Sequence, residues 1–542
     1  MPSAGSAVAL FFLASSALGD TPVYQPCPLL RAYYPSPTIN KGDAIVKSFA
    51  DDFTSLFDQL IKAGGSEDFG AITPNTTSFS VVLFSGSEDV KEDPVFFEYH
   101  YKASEAPENS TLDTNTVFPL GTITQLFTVY SWLVEVGDEH WGTPITQFMP
   151  ELSNATSVGL AVNWGEITIG ALAGQMSGLA RDSYVCNLDQ PCNRADFIRE
   201  FGNQPPLFLP DTTPIISNAA FQLIALALEA HSSSSRNATS NFAEILSTRI
   251  FKPLNMTNSG LLSVAGDKAI FARDLNTSAV GEPGALSMLS TASDLARAGH
   301  AMLSSRLVSK AATRRWLQPV ADTSNLRNGV GRPWEIYHAG RSANSSILDV
   351  FTKTGLVGHY ASYFGLAPDF DAGFAILAHD TEAARGPDLN VYADVVSLAI
   401  VQLQKLAAAE MAEKYVGSFE GPAGAAVFNI SSDGPGLVVS ALKAGDIDVR
   451  AEIANAAGIK AEDIDLRLYP SNVATETQHQ FVAVIQDKSA PVDMDTPTCI
   501  TWQDVGSLGP RFDIRVIFDT DASGQAVRVT LLGGSLALER SA

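Results

Sequence analysis

Thr122-Ile123-Thr124-Gln125 puts a hydroxyl and a carboxamide one helical turn apart, on one face of a helix. An alcohol becomes a useful nucleophile near neutral pH only when a neighbouring base takes its proton. Gln125 supplies an amide, which accepts no proton usefully. Other polar side chains with chemical potential follow: Ser217-Asn218, preceded by the apolar Ile216, then Lys353-Thr354-Gly355, then His359-Tyr360. The Lys353 amine would serve Thr122 as a base if burial lowered its pKa. Each residue also has a plainer reading. Thr122 suits a helix cap, Gln125 a surface or cleft hydrogen-bonder, Lys353 a solvated strand residue, and Asn218 a loop-holding amide. His359 suits a structural role, and Arg181 and Asp182 read as surface charges.

Composition bounds the remaining possibilities. The 542 residues suggest two or three domains. An apolar content of 45% and a charged content of 17% provide for ample cores. The net charge of −24 repels nucleic acid and anionic membrane surfaces. There is no zinc-type Cys/His spacing, no Gly-rich phosphate loop and no basic patch, so no cofactor or metal is implied.

The first residues read as an address. Ala7–Leu18 is a short apolar run, and Ala17-Leu18-Gly19 sets small residues before a cleavage ahead of Asp20, with no basic residue before Arg31. This is the pattern of a secretory signal peptide over 1–19. The run is too short to span a bilayer, and no later segment offers about 18 uninterrupted apolar residues. Asn-x-Ser/Thr sequons at Asn75, Asn109, Asn154, Asn237, Asn255, Asn276, Asn344 and Asn429 suit a glycosylated surface. Four cysteines, Cys27, Cys186, Cys192 and Cys499, suit an oxidising compartment. Cys186 with Cys192 would close a small loop, and Cys27 with Cys499 would tie the N-terminal arm to the C-terminal region; sequence leaves three pairings open. The expectation is a secreted or lumenal protein without a membrane span.

Periodicity then places the elements. Residues 20–42 are Pro-rich and read as a tether. Asp43–Lys62 carries Ile45, Phe49, Phe53, Phe57 and Ile61 at helical spacing. Strand-like runs follow at Phe79–Ser85 and Val95–Tyr101, then the Thr122 helix, then a helical region over about 145–320. Strand signals return at Leu348–Lys353, Tyr363–Leu366 and Gly373–Ala378, before a helix over Val391–Lys414. Short β-like segments dominate from 415 to 542. The pattern predicts an α/β (α+β) sandwich over 43–414, an antiparallel sheet flanked by helices with an inserted helical lobe, followed by a C-terminal β-rich domain over 415–542.

Several stretches in order carry a family resemblance. Phe118–Thr128 resembles the nucleophile helix of the serine β-lactamase, penicillin-binding protein and esterase superfamily. Ile167–Leu179, Pro214–Leu223, Phe251–Thr257, Leu289–Ala296 and Lys353-Thr354-Gly355 resemble its later motifs. The fit is closest to fungal secreted β-lactamase-like proteins with an added C-terminal β domain. The resemblance implies a serine at the helix start, a lysine one turn on, and a Tyr-x-Asn loop that relays the proton. Here those positions are Thr122, Gln125 and Ile216, with Asn218 and Lys353-Thr354-Gly355 retained. The one literal Ser-x-x-Lys, Ser440 to Lys443, lies beside a strand in the tail, and no Tyr-x-Asn occurs.

The expected function follows from those substitutions. Loss of general acid–base help costs ~10²–10⁴-fold in rate, so conventional serine hydrolysis is not expected, and a pseudoenzyme is one outcome. Thr122 and Lys353 are the candidate catalytic residues. Gln125, Ile216, Ser217, Asn218, Thr354, Gly355, His359 and Tyr360 are candidates to line a retained small-molecule cleft. The alternatives are a non-hydrolytic catalyst of cyclisation, isomerisation or elimination in fungal secondary metabolism, a weak hydrolase using Thr122, and a secreted binding glycoprotein.

Overall fold

The structure is a computed structural model. It describes residues 24 to 541 apart from 25, 32, 91, 109, 155–159, 188–189, 191, 237–238, 263–269, 276–280, 340–347, 433 and 490–512. The signal-like segment, Cys499 and the sequons at Asn109, Asn237, Asn276 and Asn344 lie outside the described residues. Asn75, Asn255 and Asn429 are exposed. Two compact units are present. One comprises Tyr34–Arg341 with Ile347–Met411, and the other Ala412–Ala542 with the N-terminal segment to Tyr33.

The larger unit is built on one antiparallel sheet. Its strands are β1 (Thr77–Ser85), β2 (Val95–Tyr101), β3 (Ala321–Asp322), β4 (Asn328–Val330), β5 (Glu335–Ala339), β6 (Leu348–Val357), β7 (Tyr360–Ala367) and β8 (Ala372–Asp380). Their order is β2-β1-β8-β7-β6-β5-β4-β3. Side chains alternate between faces along each strand, and both faces are covered. Val81, Leu83 and Val350 pack against α1 (Ala44–Ala63) on one face. Val82, Phe84, Phe351 and Val357 join the helical lobe on the other. Double coverage explains why every residue of β1 and β8 is buried.

The helices follow the same logic. In α1, Val46, Phe49, Phe53, Phe57 and Leu60 form one apolar stripe, and Gly64 ends it in the left-handed region at φ 72°. The lobe holds α2 (Thr124–Glu135) and α3 (Asn218–Arg236). Residues Thr124 to Leu133 of α2 are all buried, so this helix is a core element on every side. A further helix, α4 (Ala292–Leu303), lies against β1 and β8. The last helix, α5 (Asn390–Tyr415), sends Tyr392, Val395, Val396 and Ala399 into the core shared with α1. It is the one described helix long and apolar enough to cross a bilayer, and it is packed here as a core helix.

The smaller unit is a closed antiparallel ring of strands. Gly424–Ser431 pairs with both Gly417–Gly421 and Gly434–Ala444, which joins the ends of the sheet. Closure removes free edges. Phe419, Phe428, Phe481 and Phe518 meet inside, with Phe428 and Phe481 each 5.3 Å from Phe518 by ring centroids. The unit also holds a helix, Val449–Ala457, that β-like periodicity did not foreshadow. The Pro-rich arm expected as a tether is docked over part of its length. The Tyr24 hydroxyl donates to Asp465 at 2.6 Å, the Cys27 N–H donates to Gln486 at 2.7 Å, and Cys27 is disulfide-bonded. Asp465 also takes Arg467 Nε at 2.7 Å, so this tyrosine seals a buried ion pair.

Close contact with β6 fixes α2 on the sheet. A short 3₁₀ turn, Gly121–Ile123, precedes α2 and lies across β6. A Cβ on Gly355 would stand 2.0 Å from the Leu120 carbonyl oxygen and 2.5 Å from Ser362 Oγ. Gly355→Ala is expected to cost about 1–3 kcal/mol through forced displacement of that turn. The check is the urea midpoint of the larger unit, and an unchanged midpoint would show that the turn yields freely.

Candidate functional site

The turn that crosses β6 carries Thr122, which is 9% exposed. Its Oγ1 donates to the Thr354 carbonyl oxygen at 2.8 Å. The hydroxyl is therefore no helix cap: α2 begins at Thr124, and no side chain caps its N-terminus. Cap formation needs the side-chain oxygen to accept from the helix N–H groups, whereas this one is turned to the strand as a donor.

Gln125 lies one turn on and is fully buried, not at the surface. Its Nε2 donates to Asn218 Oδ1 at 2.9 Å, and its Oε1 has no partner. Asn218, 4% exposed, passes the chain outward through Nδ2 to Asp182 Oδ1 at 2.6 Å. Ser217 caps α3: its Oγ accepts from the Ala220 N–H at 3.1 Å and donates to the Ala180 carbonyl at 2.6 Å. Ile216 precedes it, half-buried. Thr122, Gln125, Ile216, Ser217 and Asn218 thus share one region with Thr354 and Gly355.

Lys353 occupies the lobe-facing side of β6, between Phe351 and Gly355, and is wholly buried rather than solvated. Its Nζ pairs with Glu335 Oε1. The other oxygen, Glu335 Oε2, accepts from the Thr354 N–H at 3.0 Å and the Thr354 Oγ1 at 2.8 Å. One carboxylate therefore neutralises the lysine and holds the strand that bears it. Thr354 itself is exposed.

His359 and Tyr360 are placed elsewhere. They belong to a second polar cluster at the turn between β6 and β7. The Tyr360 hydroxyl donates to the Phe271 carbonyl at 2.6 Å, and His359 Nδ1 meets the Asp380 carbonyl at 2.9 Å. His379 Nε2 pairs with Asp274 Oδ2 at 2.6 Å. Burial, with the Asp274 carboxylate beside it, pushes the Tyr360 phenol well above its usual range. Neither residue has a hydrogen bond to Thr122, Gln125, Asn218 or Lys353, because each side chain is spent inside this cluster.

Three carboxylates escaped the sequence reading. Glu335 and Asp182 partner residues far away in sequence, and Asp182 looked like a surface charge; its side chain is 41% exposed. Glu282 is the third. It is 0% exposed, its φ is +48°, and neither carboxyl oxygen has a hydrogen-bond partner in good geometry. Its backbone N–H donates to Cys192 Sγ at 3.2 Å, within the Cys186–Cys192 disulfide loop. Burial, then the charge of Asp182, raises its pKa to about 9, against the opposing Ser183 backbone and Arg181. No motif flags an isolated glutamate in a Gly-Glu-Pro-Gly stretch. Among the described residues no cluster of His, Cys, Asp and Glu is arranged to hold a metal.

The family described as Beta-lactamase matches residues 90–397, more than half of the chain. A second family, described as Beta-lactamase-like-like, C-terminal domain, matches residues 407–542. A "Beta-lactamase-like protein" of Arthroderma benhamiae is 23% identical, covering 84% of this chain and 86% of its own. "Putative beta-lactamase-like 1" of Homo sapiens is 25% identical, covering 52% of this chain and 58% of its own. Among solved structures, SurE with D-Leu has a TM-score of 0.50 at 14% identity, covering 91% of this chain and 100% of its own. A Beta-lactamase/D-alanine Carboxypeptidase from Yersinia pestis complexed with citrate has a TM-score of 0.50 at 17% identity, covering 65% of this chain and 98% of its own. The solved structures support the fold alone.

The site yields a pH prediction and a stability prediction. Glutamate in the unfolded chain ionises near pH 4.5, whereas folded Glu282 keeps its proton to about pH 9. A raised folded pKa means stability is full below the lower value and falls as pH rises through that window. Glu282→Gln is expected to flatten the fall by roughly 1 kcal/mol per pH unit, read from urea midpoints between pH 5 and 9. Parallel slopes in the two proteins would refute the assignment. Glu335→Ala leaves the Lys353 ammonium buried without its counter-ion. Its expected cost is roughly 3 kcal/mol, the lower end for a broken buried pair because Glu335 is partly wetted, and a cost under about 1 kcal/mol would contradict it.

Proposed function

The chain belongs to the Beta-lactamase family, and from that premise we propose that it is a secreted member that holds a small molecule beside Thr122 without conventional acyl hydrolysis. The observation that carries this reading is the state of the two groups that would have to exchange a proton. The Thr122 hydroxyl gives its hydrogen to the Thr354 carbonyl, and the Lys353 amine is bound to Glu335. Gln125 and Ile216 supply no substitute. Ligand access rests on the half-buried Ile216 and the part-exposed Asp182 beside the buried amides. Secretion rests on the signal-like N-terminus, the sequons and the Cys186–Cys192 disulfide.

Asp182 favours one second reading. Its carboxylate is anchored by Asn218 and partly open to water. It is an acid–base group independent of Thr122, suited to a non-hydrolytic step such as isomerisation, elimination or cyclisation, for which positioning matters more than a nucleophile. A role in fungal secondary metabolism would use such a step.

A covalent probe separates these readings from acyl transfer. Incubation with a fluorophosphonate or a labelled penicillin, followed by intact mass, is expected to show no adduct. Turnover of activated esters should lie at least ~10²-fold below that of a family member with an intact base. An adduct at residue 122 that disappears in Thr122→Ala would sink the proposal and install Thr122 as a nucleophile.

A further inference from the structure

A second binding site is suggested on the opposite face of the sheet. A cavity of about 260 Å³ lies between β5–β8 and α5. A dry cavity of about 150 Å³ already accepts benzene, so this one has room for a larger apolar body. Small residues stand among the larger ones on both walls. Ala367, Ala372 and Gly373 line the sheet side, and Ala393, Ser397 and Ala399 the helix side. The floor includes Val350 and Thr352, which alternate with Phe351 and Lys353 and so face away from Thr122. The proposal is therefore independent of the reading of the Thr122 site.

The cavity is polar at one end and apolar at the other. Asn390 and Asp394 stand one turn apart near the N-terminus of α5, with Tyr337 and Tyr363 on the facing strands. Ile400 and Leu403 line the far end. Phe96 and Leu403 are shared with a smaller hollow of about 20 Å³ bounded by Ile45, Phe49 and Leu406, which extends the apolar end between α1 and α5. At ~1.5 Å per helical residue, Asp394 and Leu403 are about 13 Å apart along the axis. Asp394 is the one acidic or basic side chain among the described lining residues, and it is exposed. A carboxylate attracts a cation and repels an anion, and tyrosine rings in the same lining suit a quaternary ammonium.

We propose that this groove binds an amphiphile with a cationic amine head at Asp394 and a linear alkyl chain running toward Leu403 and Leu406.

Decyltrimethylammonium, below its micellar concentration, is the probe, with decanoate as the matched anion. Calorimetry on the full chain is expected to show one saturable site for the ammonium and none for decanoate. Asp394→Asn should weaken the ammonium at least tenfold. This residue is exposed, so its variant keeps the fold, and an unchanged melting temperature confirms that. Ile400→Trp should abolish binding by filling the groove, provided its melting temperature is retained. The proposal is overturned if the ammonium fails to saturate, if decanoate binds equally well, or if Asp394→Asn leaves the affinity unchanged.

Discussion

The crossing of the Gly121–Ile123 turn over β6 is the constraint on which the larger unit depends. Three contacts make it. Gly355 leaves space for the Leu120 carbonyl, the Ser362 hydroxyl donates to that carbonyl at 2.7 Å, and the Thr122 hydroxyl donates to the Thr354 carbonyl. None of these contacts spans more than a few ångströms, yet together they set where α2 begins and how its buried face meets the lobe. They also fix the chemistry. A hydroxyl that serves as a tie between turn and strand donates its O–H to a backbone carbonyl oxygen.

How much of this was legible in the sequence differs by level. Five of the eight sheet strands were legible, β1, β6, β7 and β8 as apolar runs and β2 by its alternation, whereas the short β3, β4 and β5 were not; α1 was legible because its phenylalanines recur at helical spacing. The C-terminal β-rich character was legible from alternation, but its short strands, such as Leu536–Arg540, and its Val449–Ala457 helix were not, since neither has a strong period. At the site, Thr122, Gln125, Asn218 and Lys353 could be placed from motif order. Their partners could not. Glu335 and Asp182 become site residues only through strand pairing and loop docking, and both are ordinary acidic residues in sequence. His359 and Tyr360 misled because the turn that follows Gly355 carries them into another cluster, with Asp274 and His379.

The alternation of faces along β6 has a consequence for what the sheet can do. Phe351, Lys353 and Gly355 face the lobe, while Val350, Thr352 and Thr354 face the other way, and Glu335 ties the two sets by accepting from Lys353 and Thr354 together. Thr352 donates to the Glu335 backbone carbonyl and also lines the cavity under α5. The cavity lining and the Thr122 tie therefore rest on opposite faces of one strand.

The identity of residue 125 then has an electrostatic rationale. A lysine there would set a second ammonium in a fully buried position, close to the strand whose own lysine already consumes the available carboxylate. Asp182 is the next acid along, but it is engaged by Asn218, which stands between it and residue 125. An uncompensated buried ammonium costs several kcal/mol. The glutamine amide carries no charge, satisfies Asn218 through Nε2, and leaves only one oxygen without a partner, a smaller penalty of ~1–3 kcal/mol. On this arithmetic a neutral amide costs less at residue 125 than an ammonium would. The substitution at 125 and the pairing at 353 are then two parts of one electrostatic arrangement.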